Sequence, residues 1–163
     1  MRRVPSPVVG QGIEVTPIGY VRGGRAEPLD DDWGPVGARI ELDPDLLDPT
    51  ATAALDAFSH VEVVFVFDRV DPGAVQRGAR RPRGRADWPE VGILAQRAKA
   101  RPNRIGVTTC DLVAVDGLVL TVRGLDAIDG TPVLDVKPHM TGFGPRGEVR
   151  EPGWARELMD GYW

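Results

Sequence analysis

The alternation of apolar and polar positions predicts a chain built mainly from β-strands. Residues 60–68, HVEVVFVFD, are β-branched or aromatic at nearly every position, which is typical of a central, buried strand. Shorter strand-like runs cover residues 13–21, 38–42, 92–96 and 131–137. Two more lie within residues 105–125 and flank Asp116-Gly117, a pair that suits a tight hairpin.

Within the run 131–137, strand alternation predicts two faces. One face carries Leu134 and Val136, and the other carries Val133, Asp135 and Lys137. A charged face on a barrel strand is typical of a polar ligand pocket, although Asp135 and Lys137 can also form a simple ion pair. Both interpretations stay open from the sequence.

Helical spacing occurs in only two places. Residues 48–58, DPTATAALDAF, predict a short helix that Thr50 can cap, with Ala54, Leu55 and Phe58 on one face. The tail predicts a second helix from about Trp154. Its apolar positions at helical spacing are Trp154, Leu158, Met159 and Tyr162.

Strands linked by hairpins and loops, with 20 glycines and 15 prolines, indicate a mainly β fold. We expect a small antiparallel or mixed β barrel with short helices, one of them at the C-terminus. The 163 residues suit one domain. We place it at residues 13–163, after a loose N-terminal arm at residues 1–12.

Cysteine and histidine usage narrows the possible chemistry. The single cysteine, Cys110, excludes an internal disulfide and favours a reducing cytoplasm, and its place in a β-rich run predicts a buried, inert thiol. Only two histidines, His60 and His139, argue against a metal site. No apolar run has the length of a signal peptide core or a membrane span, so we expect no membrane association.

Charge is unevenly distributed in a chain whose net charge is −4. Residues 77–104 carry nine arginines and lysines against only Asp87 and Glu90. Such an excess can hold a polyanion even on an acidic protein. It is equally typical of a solvated, arginine-rich loop.

The candidate catalytic and nucleotide motifs are weak. The glycines between arginines lack the lysine and the strand–loop–helix context of a phosphate-binding loop. Ser59 and His60 are adjacent at a strand, so we expect their side chains to point to opposite faces and not to meet. His60 is then a structural residue.

Two segments have the residue types of a ligand site. In RAKARPNRIG, Pro102 and Asn103 predict a stiff turn holding several cations that can grip a carboxylate or phosphate, or that simply form a charged loop. In GLDAIDGTPVLDVKPHM, Asp126 and Asp129 flank a Gly-Thr-Pro turn, where aspartate commonly caps backbone amides.

These segments, in this order and spacing with FSHVEVVFVFDRV, closely resemble the TsaA-like (TrmO) family from about residue 13 to residue 139. The resemblance implies a small β barrel that differs from the Rossmann methyltransferases. It also implies S-adenosyl-L-methionine-dependent methylation of N6-threonylcarbamoyladenosine beside the tRNA anticodon. The implied assembly is a homodimer with the cofactor near the subunit interface.

The resemblance also implies site residues. The cofactor contacts fall at Asp68, Arg69, Arg97, Val107, Leu125, Asp126 and Ala127, with a further contact at Asp32 and Trp33. We expect His139 and Asp129 to accept or polarise the acceptor's proton. Residues expected to orient the substrate are Arg101, Asn103, Arg104 and Lys137.

Departures from the family pattern affect the acceptor more than the cofactor. The family usually has R-P-N-P-I-G, T-R-S and K-P-Y, where this chain has Arg104, Gln96-Arg97-Ala98 and His139. Three hypotheses therefore remain. They are a methyltransferase acting on tRNA through the Arg77–Arg104 face, a methyltransferase acting on a small metabolite, and a non-enzymatic module that binds the cofactor as a sensor.

Overall fold

Eight β-strands and one α-helix lie in the part of the chain that this computed structural model describes, residue 10 and residues 12–163. The strands are β1 (Gly19–Arg22), β2 (Gly37–Leu42), β3 (His60–Val66), β4 (Ala79–Arg80), β5 (Val91–Gly92), β6 (Ile105–Asp116), β7 (Val119–Arg123) and β8 (Pro132–Pro138). The helix α1 spans Gly153–Met159. Single 3₁₀ turns occur at Leu55–Ala57, Pro72–Ala74, Pro82–Gly84, Ile93–Ala95, Pro102–Arg104 and Thr141–Phe143.

Six of the strands close into a barrel in the order β1-β2-β7-β6-β3-β8, and every pairing in it is antiparallel. Strands β4 and β5 form a separate two-stranded sheet. The predicted fold class, a mainly β barrel with a C-terminal helix, is confirmed. The predicted arm at residues 1–12 lies almost wholly outside the described residues, and the single-domain boundary stays a prediction.

The barrel interior is filled by every second side chain of its strands. In β3, Val61, Val63 and Phe65 are at most 1% exposed, while the intervening residues face outward. Opposite Phe65 lies Gly106 of β6, where an added Cβ would meet the phenyl ring at 2.5 Å. Glycine at this position is therefore required by the close approach of the ring to the neighbouring strand.

The two predicted faces of β8 are wrong because the strand contains a bulge. Val64 of β3 pairs with Asp135, but Phe65 pairs with Val133, so Leu134 is the extra residue. Val133 is fully buried in the core, and Val136 packs against the same core. Alternation counted without the bulge places these two valines on opposite faces.

The hairpin predicted at Asp116-Gly117 is confirmed. Asp116 pairs with Val119, which leaves Gly117 and Leu118 as the turn, and Gly117 has φ 55°. The predicted strands 38–42 and 131–137 agree with β2 and β8 within one residue, and the strand predicted at 60–68 ends at Val66. Only part of the run 13–21 is strand, and 92–96 is mostly a 3₁₀ turn after Gly92.

The helix predicted over residues 48–58 is absent, and a series of turns stands in its place. The Asp48 carboxylate accepts hydrogen bonds from the backbone N–H and the hydroxyl of Thr50, which closes a local turn. Ala54 has the left-handed φ of 62°, which interrupts a helix. Thr52 donates to the carbonyl oxygen of Gly117 at 2.7 Å and fastens the segment to the β6–β7 turn.

The predicted tail helix is confirmed, but it ends at Met159, so Tyr162 lies beyond its end. Within the described residues, no helix has the length and hydropathy that crossing a membrane requires.

Candidate functional site

Two adjacent residues of β6, Val107 and Thr108, bring several predicted cofactor contacts together. The Arg97 guanidinium donates to the carbonyl oxygen of Val107. The Thr108 hydroxyl donates to one carboxylate oxygen of Asp126, and the Tyr162 hydroxyl donates to the other. Arg97, Val107 and Asp126 therefore lie at one place, which we call the Asp126 site.

The two residues on either side of Asp126 are held in place by burial. Leu125 is 1% exposed and belongs to the barrel core, as does Ala127. Their side chains are turned away from solvent, so they offer a ligand mainly their backbone groups. Burial raises the pKa of the Tyr162 phenol, and the charge and hydrogen bond of Asp126 raise it further, so this phenol is a hydrogen-bond donor over the physiological range.

The acidic loop, residues 26–34, reaches the same site through the end of the tail. The backbone N–H groups of Asp32 and Trp33 donate to the carbonyl oxygens of Gly161 and Tyr162, at 3.0 and 2.8 Å. Trp33 is buried. The loop and tail are in direct contact at Gly34, where an added Cβ would meet the Trp163 carbonyl carbon at 2.7 Å.

Arginines stiffen the acidic loop from both sides. Arg25 stacks on the Trp33 ring with 4.6 Å to the centroid, and it donates to the carbonyl oxygens of Asp31 and Asp32. Arg83 forms a two-pronged ion pair with the Asp31 carboxylate, at 2.8 and 3.2 Å. The role of this loop, which the sequence left open, is thus to link the arginine-rich segment to the tail and the Asp126 site.

Asp68, Arg69 and Asp129 lie at the barrel end where β3 finishes and β8 begins. Arg69 donates to the carbonyl oxygens of Ala26 and Asp129, at 3.2 and 3.3 Å. The Asp129 carboxylate accepts from the Gly23 N–H at 2.8 Å, so it caps a turn. Asp68 is exposed.

His139 lies at the opposite end of β8 from Asp129. The seven-residue strand between them spans roughly 20 Å, so the two predicted proton acceptors do not meet within one chain. The His139 Nδ1 is 3.6 Å from a carboxylate oxygen of Glu62 and has no hydrogen-bond partner.

The predicted substrate residues are not gathered at one place. Arg101 and Arg104 donate to the carbonyl oxygens of Gln96 and Val70, at 2.5 and 2.8 Å. The stiff turn predicted here is present, since Asn103 has φ 62° and Arg104 φ 53°. Lys137 forms a 2.6 Å ion pair with Asp135 on β8.

Other guanidinium groups of the arginine-rich segment also serve its internal structure. Arg81 donates to the carbonyl oxygens of Ala86 and Trp88, and Arg85 stacks 4.0 Å above the Trp88 ring. Trp88 is buried and donates through its indole N–H to the Glu157 carboxylate of α1 at 2.8 Å. The segment is therefore a folded unit fastened to the tail helix.

The expectation that Ser59 and His60 cannot meet is wrong. Ser59 Oγ lies 2.7 Å from His60 Nδ1, and His60 Nε2 lies 3.0 Å from an Asp111 carboxylate oxygen. Ser59 precedes the first residue of β3, so the strict alternation of a strand does not apply to it. The second Asp111 oxygen accepts from Arg123 at 2.7 Å, and this guanidinium lowers the pKa of the Asp111 carboxyl.

No local sequence pattern marks Thr108 and Tyr162 as contacts of Asp126, or Trp88 as a contact of the tail helix. Each has its partner far along the chain, and only the folded structure brings the two together. Helical spacing in the tail predicts instead that Tyr162 lies on the helix face. Within the described residues, no group of three or more histidine, cysteine, aspartate or glutamate side chains is placed to hold a metal ion.

Comparison with known proteins bears on the family and the fold. Residues 31–144 match the model of the tRNA-methyltransferase O N-terminal domain. A probable S-adenosyl-L-methionine-binding protein of Methanothermobacter thermautotrophicus is 35% identical over 134 residues, which cover 78% of this chain and 90% of the relative. A tRNA (adenine(37)-N6)-methyltransferase of Escherichia coli is 38% identical over 96 residues, covering 55% of this chain and 40% of the relative.

A crystal structure of TrmO from Pseudomonas aeruginosa superposes with a TM-score of 0.70 at 28% identity, and the match covers 86% of this chain and 61% of that one. The chain thus spans well under two thirds of the E. coli relative and somewhat under two thirds of the solved structure. The matched domain nevertheless covers more than half of the chain, and the resemblance seen in the sequence is confirmed. The chain belongs to the family of the tRNA-methyltransferase O N-terminal domain.

Proposed function

We propose that this chain binds S-adenosyl-L-methionine at the Asp126 site and transfers its methyl group to an adenine amine of tRNA. The observation that carries the proposal is a chain of contacts: the Arg97 guanidinium donates to the Val107 carbonyl oxygen, and the next residue, Thr108, shares the Asp126 carboxylate with the Tyr162 phenol. The names of its relatives, which include tRNA (adenine(37)-N6)-methyltransferases and S-adenosyl-L-methionine-binding proteins, support it.

The residues at this site fit the cofactor's chemistry. The half-buried Asp126 carboxylate is held in place by two hydroxyls and can accept hydrogen bonds from ribose hydroxyls or an ammonium group. The exposed Arg97 is fixed by one nitrogen on Val107, so its remaining donors can pair with a carboxylate. The backbone of Leu125 and Ala127 completes one wall.

When bound, the cofactor supplies an activated methyl group on a sulfonium sulfur, so positioning accounts for much of the rate. This chain's own contribution is to orient the two reactants, to exclude water, and to accept the acceptor's proton. Tyr162 is placed for the second task because it contacts Asp126, and the buried Trp33 of the acidic loop supports it through a backbone hydrogen bond.

We further propose that the acceptor is N6-threonylcarbamoyladenosine in the anticodon loop, as the family resemblance implies. The decisive experiment incubates the purified chain with S-adenosyl-L-methionine and tRNA that carries threonylcarbamoyladenosine but lacks its methyl group. Mass spectrometry of the digested nucleosides should show a mass gain of one methyl group on that nucleoside. The Asp126→Asn variant should show little gain, and an unchanged nucleoside profile with the native protein would reject the proposal.

A small-molecule acceptor is the alternative, and one observation favours it. Arginines 81, 83, 101 and 104, which the sequence offered as a tRNA-binding face, donate to carbonyl oxygens or to Asp31. Fewer cations are then free for phosphates than the charge count suggests. Methylation of a metabolite extract component, with tRNA unchanged, would establish this alternative.

We also propose that the chain forms a homodimer through the outer face of β3 and β6. Ile105 and Val107 are 40% and 43% exposed there, beside the partly exposed Val64 and Val66 of the paired strand. This apolar strip adjoins Arg97, so a dimer interface here would border the Asp126 site. Light scattering should give twice the chain mass for the native protein and the monomer mass for Ile105→Arg.

A further inference from the structure

The tail, residues 152–163, is attached both to the arginine-rich segment and to the acidic loop. At α1, the indole N–H of Trp88 donates to the Glu157 carboxylate at 2.8 Å. After the helix, the carbonyl oxygen of Tyr162 accepts from the Trp33 N–H at 2.8 Å. These two contacts hold the tail without any help from the Tyr162 hydroxyl.

The chain turns directly after α1, and this turn brings Tyr162 to Asp126. Gly161 has a φ of 73°, a left-handed conformation that suits glycine, and the Tyr162 N–H donates to the carbonyl oxygen of Met159 at 3.1 Å. The phenol then contacts a carboxylate that lies 36 residues earlier in the chain. Because the backbone sets its position, the ring should stay in place when only the hydroxyl is removed.

The Asp126 carboxylate receives one hydroxyl on each of its oxygens. Thr108, on β6, donates to one oxygen, and Tyr162, from the tail, donates to the other. A carboxylate oxygen can accept two hydrogen bonds, so each oxygen keeps one position for a ligand. Two donors on opposite oxygens fix the plane of the group, which otherwise has to be ordered when the ligand binds.

The Tyr162 phenol suits an orienting role and not a proton-accepting one. Burial raises its pKa, and the charge of Asp126 and the hydrogen bond to it raise the pKa further. The phenol therefore stays protonated, with its proton directed at the carboxylate. A neutral phenol is a poor base, so this residue does not take the proton of the methyl acceptor.

Tyr162 also lies outside the matched family domain. That match ends at residue 144, and it includes Arg97, Thr108 and Asp126. One donor of the candidate site thus comes from a segment that the family model does not contain. We propose that Tyr162 is a positioning residue for cofactor binding, which orients Asp126 and which the tail holds in place. This inference rests on the proposed function and names a residue that its cofactor site requires.

The first test is Tyr162→Phe, which removes the hydroxyl and keeps the ring that packs edge-on to Trp163, with 4.8 Å between the centroids. Calorimetry with S-adenosylhomocysteine should show an affinity about fivefold to tenfold below the native value, because the carboxylate must then be ordered on binding. Tyr20→Phe is the matched control, since Tyr20 is the other tyrosine of the chain and lies on β1. It should bind with native affinity, and both variants should keep the native circular dichroism spectrum. Native affinity in Tyr162→Phe would overturn the proposal.

A second pair of variants separates positioning from direct contact with the ligand. In an Asp126→Ala background, Tyr162→Phe should cause no further loss of affinity, because no carboxylate is left to orient. A loss of the same size in both backgrounds would show that the phenol acts on the ligand or on the fold without Asp126. That result would overturn the positioning role.

Ionisation of the phenol tests the contact without any ligand. In Tyr20→Phe, Tyr162 is the remaining tyrosine, so the ultraviolet absorbance of phenolate reports on it alone. Ionisation should begin above the ordinary pKa of 10.0, and adding Asp126→Ala should move it to lower pH, because the carboxylate's charge and hydrogen bond are lost. Circular dichroism at each pH checks that the protein is folded. Identical titrations of the two proteins would contradict the contact and overturn the proposal.

These outcomes distinguish this inference from the proposed function. If the native protein binds S-adenosylhomocysteine and Tyr162→Phe binds it equally well, the positioning role alone fails. If the native protein binds no S-adenosylhomocysteine, the proposed function fails, and the positioning role fails with it whatever the titration shows.

Discussion

The barrel and the loops on its outer side are held together by different interactions. The barrel depends on apolar side chains such as Val61 and Phe65, which alternate along paired strands and are almost completely buried. The loop layer comprises residues 23–36, 67–104 and 152–163, and polar contacts dominate it. Examples are the Arg83–Asp31 ion pair, the Trp88–Glu157 hydrogen bond and the pairing of Trp33 with the tail.

This difference separates stability from function. The candidate cofactor groups lie where the loop layer meets the barrel wall, at Asp126 and Arg97. Polar contacts near the surface contribute little to global stability but fix geometry. Substitutions in the two regions should therefore have separable effects on unfolding and on ligand binding.

The largest expected effect is on the barrel. Phe65→Ala removes a fully buried ring and should lower the free energy of unfolding by about 3–5 kcal/mol. Urea unfolding followed by circular dichroism measures it. A loss below about 1 kcal/mol would mean that burial of this ring contributes little to the free energy of unfolding. The barrel would then not depend on apolar burial more than the loop layer does.

The next largest effect is expected at Arg97, the proposed cofactor contact of the loop layer. Arg97→Ala should weaken S-adenosylhomocysteine binding by roughly 1.5–3 kcal/mol, the value of a charge-assisted hydrogen bond. Calorimetry measures the affinity, and Arg77→Ala, an exposed arginine of the same segment, is the control. The urea midpoint should remain within error of the native value in both variants. Native affinity in Arg97→Ala would reject the assignment.

Titration of the Cys110 thiol tests whether the barrel interior disfavours a charged thiolate. Burial raises the pKa of its thiol to about 12. Since the unfolded thiol titrates near its ordinary value of 9.0, the folded state retains more protons between pH 9 and 12. Stability should therefore fall as pH rises through this window, by at most about 1.4 kcal/mol per pH unit from this group.

The measurement compares urea unfolding of the native protein and Cys110→Ala at pH 8, 9, 10 and 11. The difference in unfolding free energy between the two should shrink as pH rises, because the variant lacks this titration. A constant difference would show that water reaches the thiol.

The smallest expected effect tests the contact between tail and acidic loop. Gly34→Ala places a Cβ 2.7 Å from the Trp163 carbonyl carbon, so the tail must shift. S-adenosylhomocysteine binding should weaken by about fivefold, or ~1 kcal/mol, with the unfolding free energy nearly unchanged. Gly37→Ala is the control, since its Cβ would meet nothing closer than 3.9 Å. Equal affinities for the two variants would show that the position of the tail does not affect cofactor binding.

The same contrast explains what the sequence could predict. Alternation in β3 and the Asp116-Gly117 hairpin are local patterns, so the sequence alone predicts both. The bulge at Leu134 has no such pattern, because Val133, Leu134 and Val136 are all apolar and suit a buried position with or without the bulge. The helix predicted over residues 48–58 is wrong because two side chains make other contacts. Asp48 closes a local turn with Thr50, and Thr52 donates to the carbonyl oxygen of Gly117 in the β6–β7 turn.

The site was predictable only where a motif marks it. The family pattern predicts Arg97 and residues 125–127 as cofactor contacts. In the structure, Arg97 and Asp126 contact adjacent residues of β6. Tyr162 and the Ser59–His60–Asp111 contacts depend on distant segments, which the sequence does not place. The two expected proton acceptors, Asp129 and His139, lie at opposite ends of β8.

Closure of the six strands into a ring has a consequence for how other molecules can approach. Each barrel strand is paired on both sides over at least part of its length, so the fully paired stretches offer no edge onto which a foreign strand can add. Recognition at this wall must consequently depend on side-chain shape and charge. The short β4–β5 ribbon is different, because both of its strands retain an open flank, and backbone-directed association is possible there.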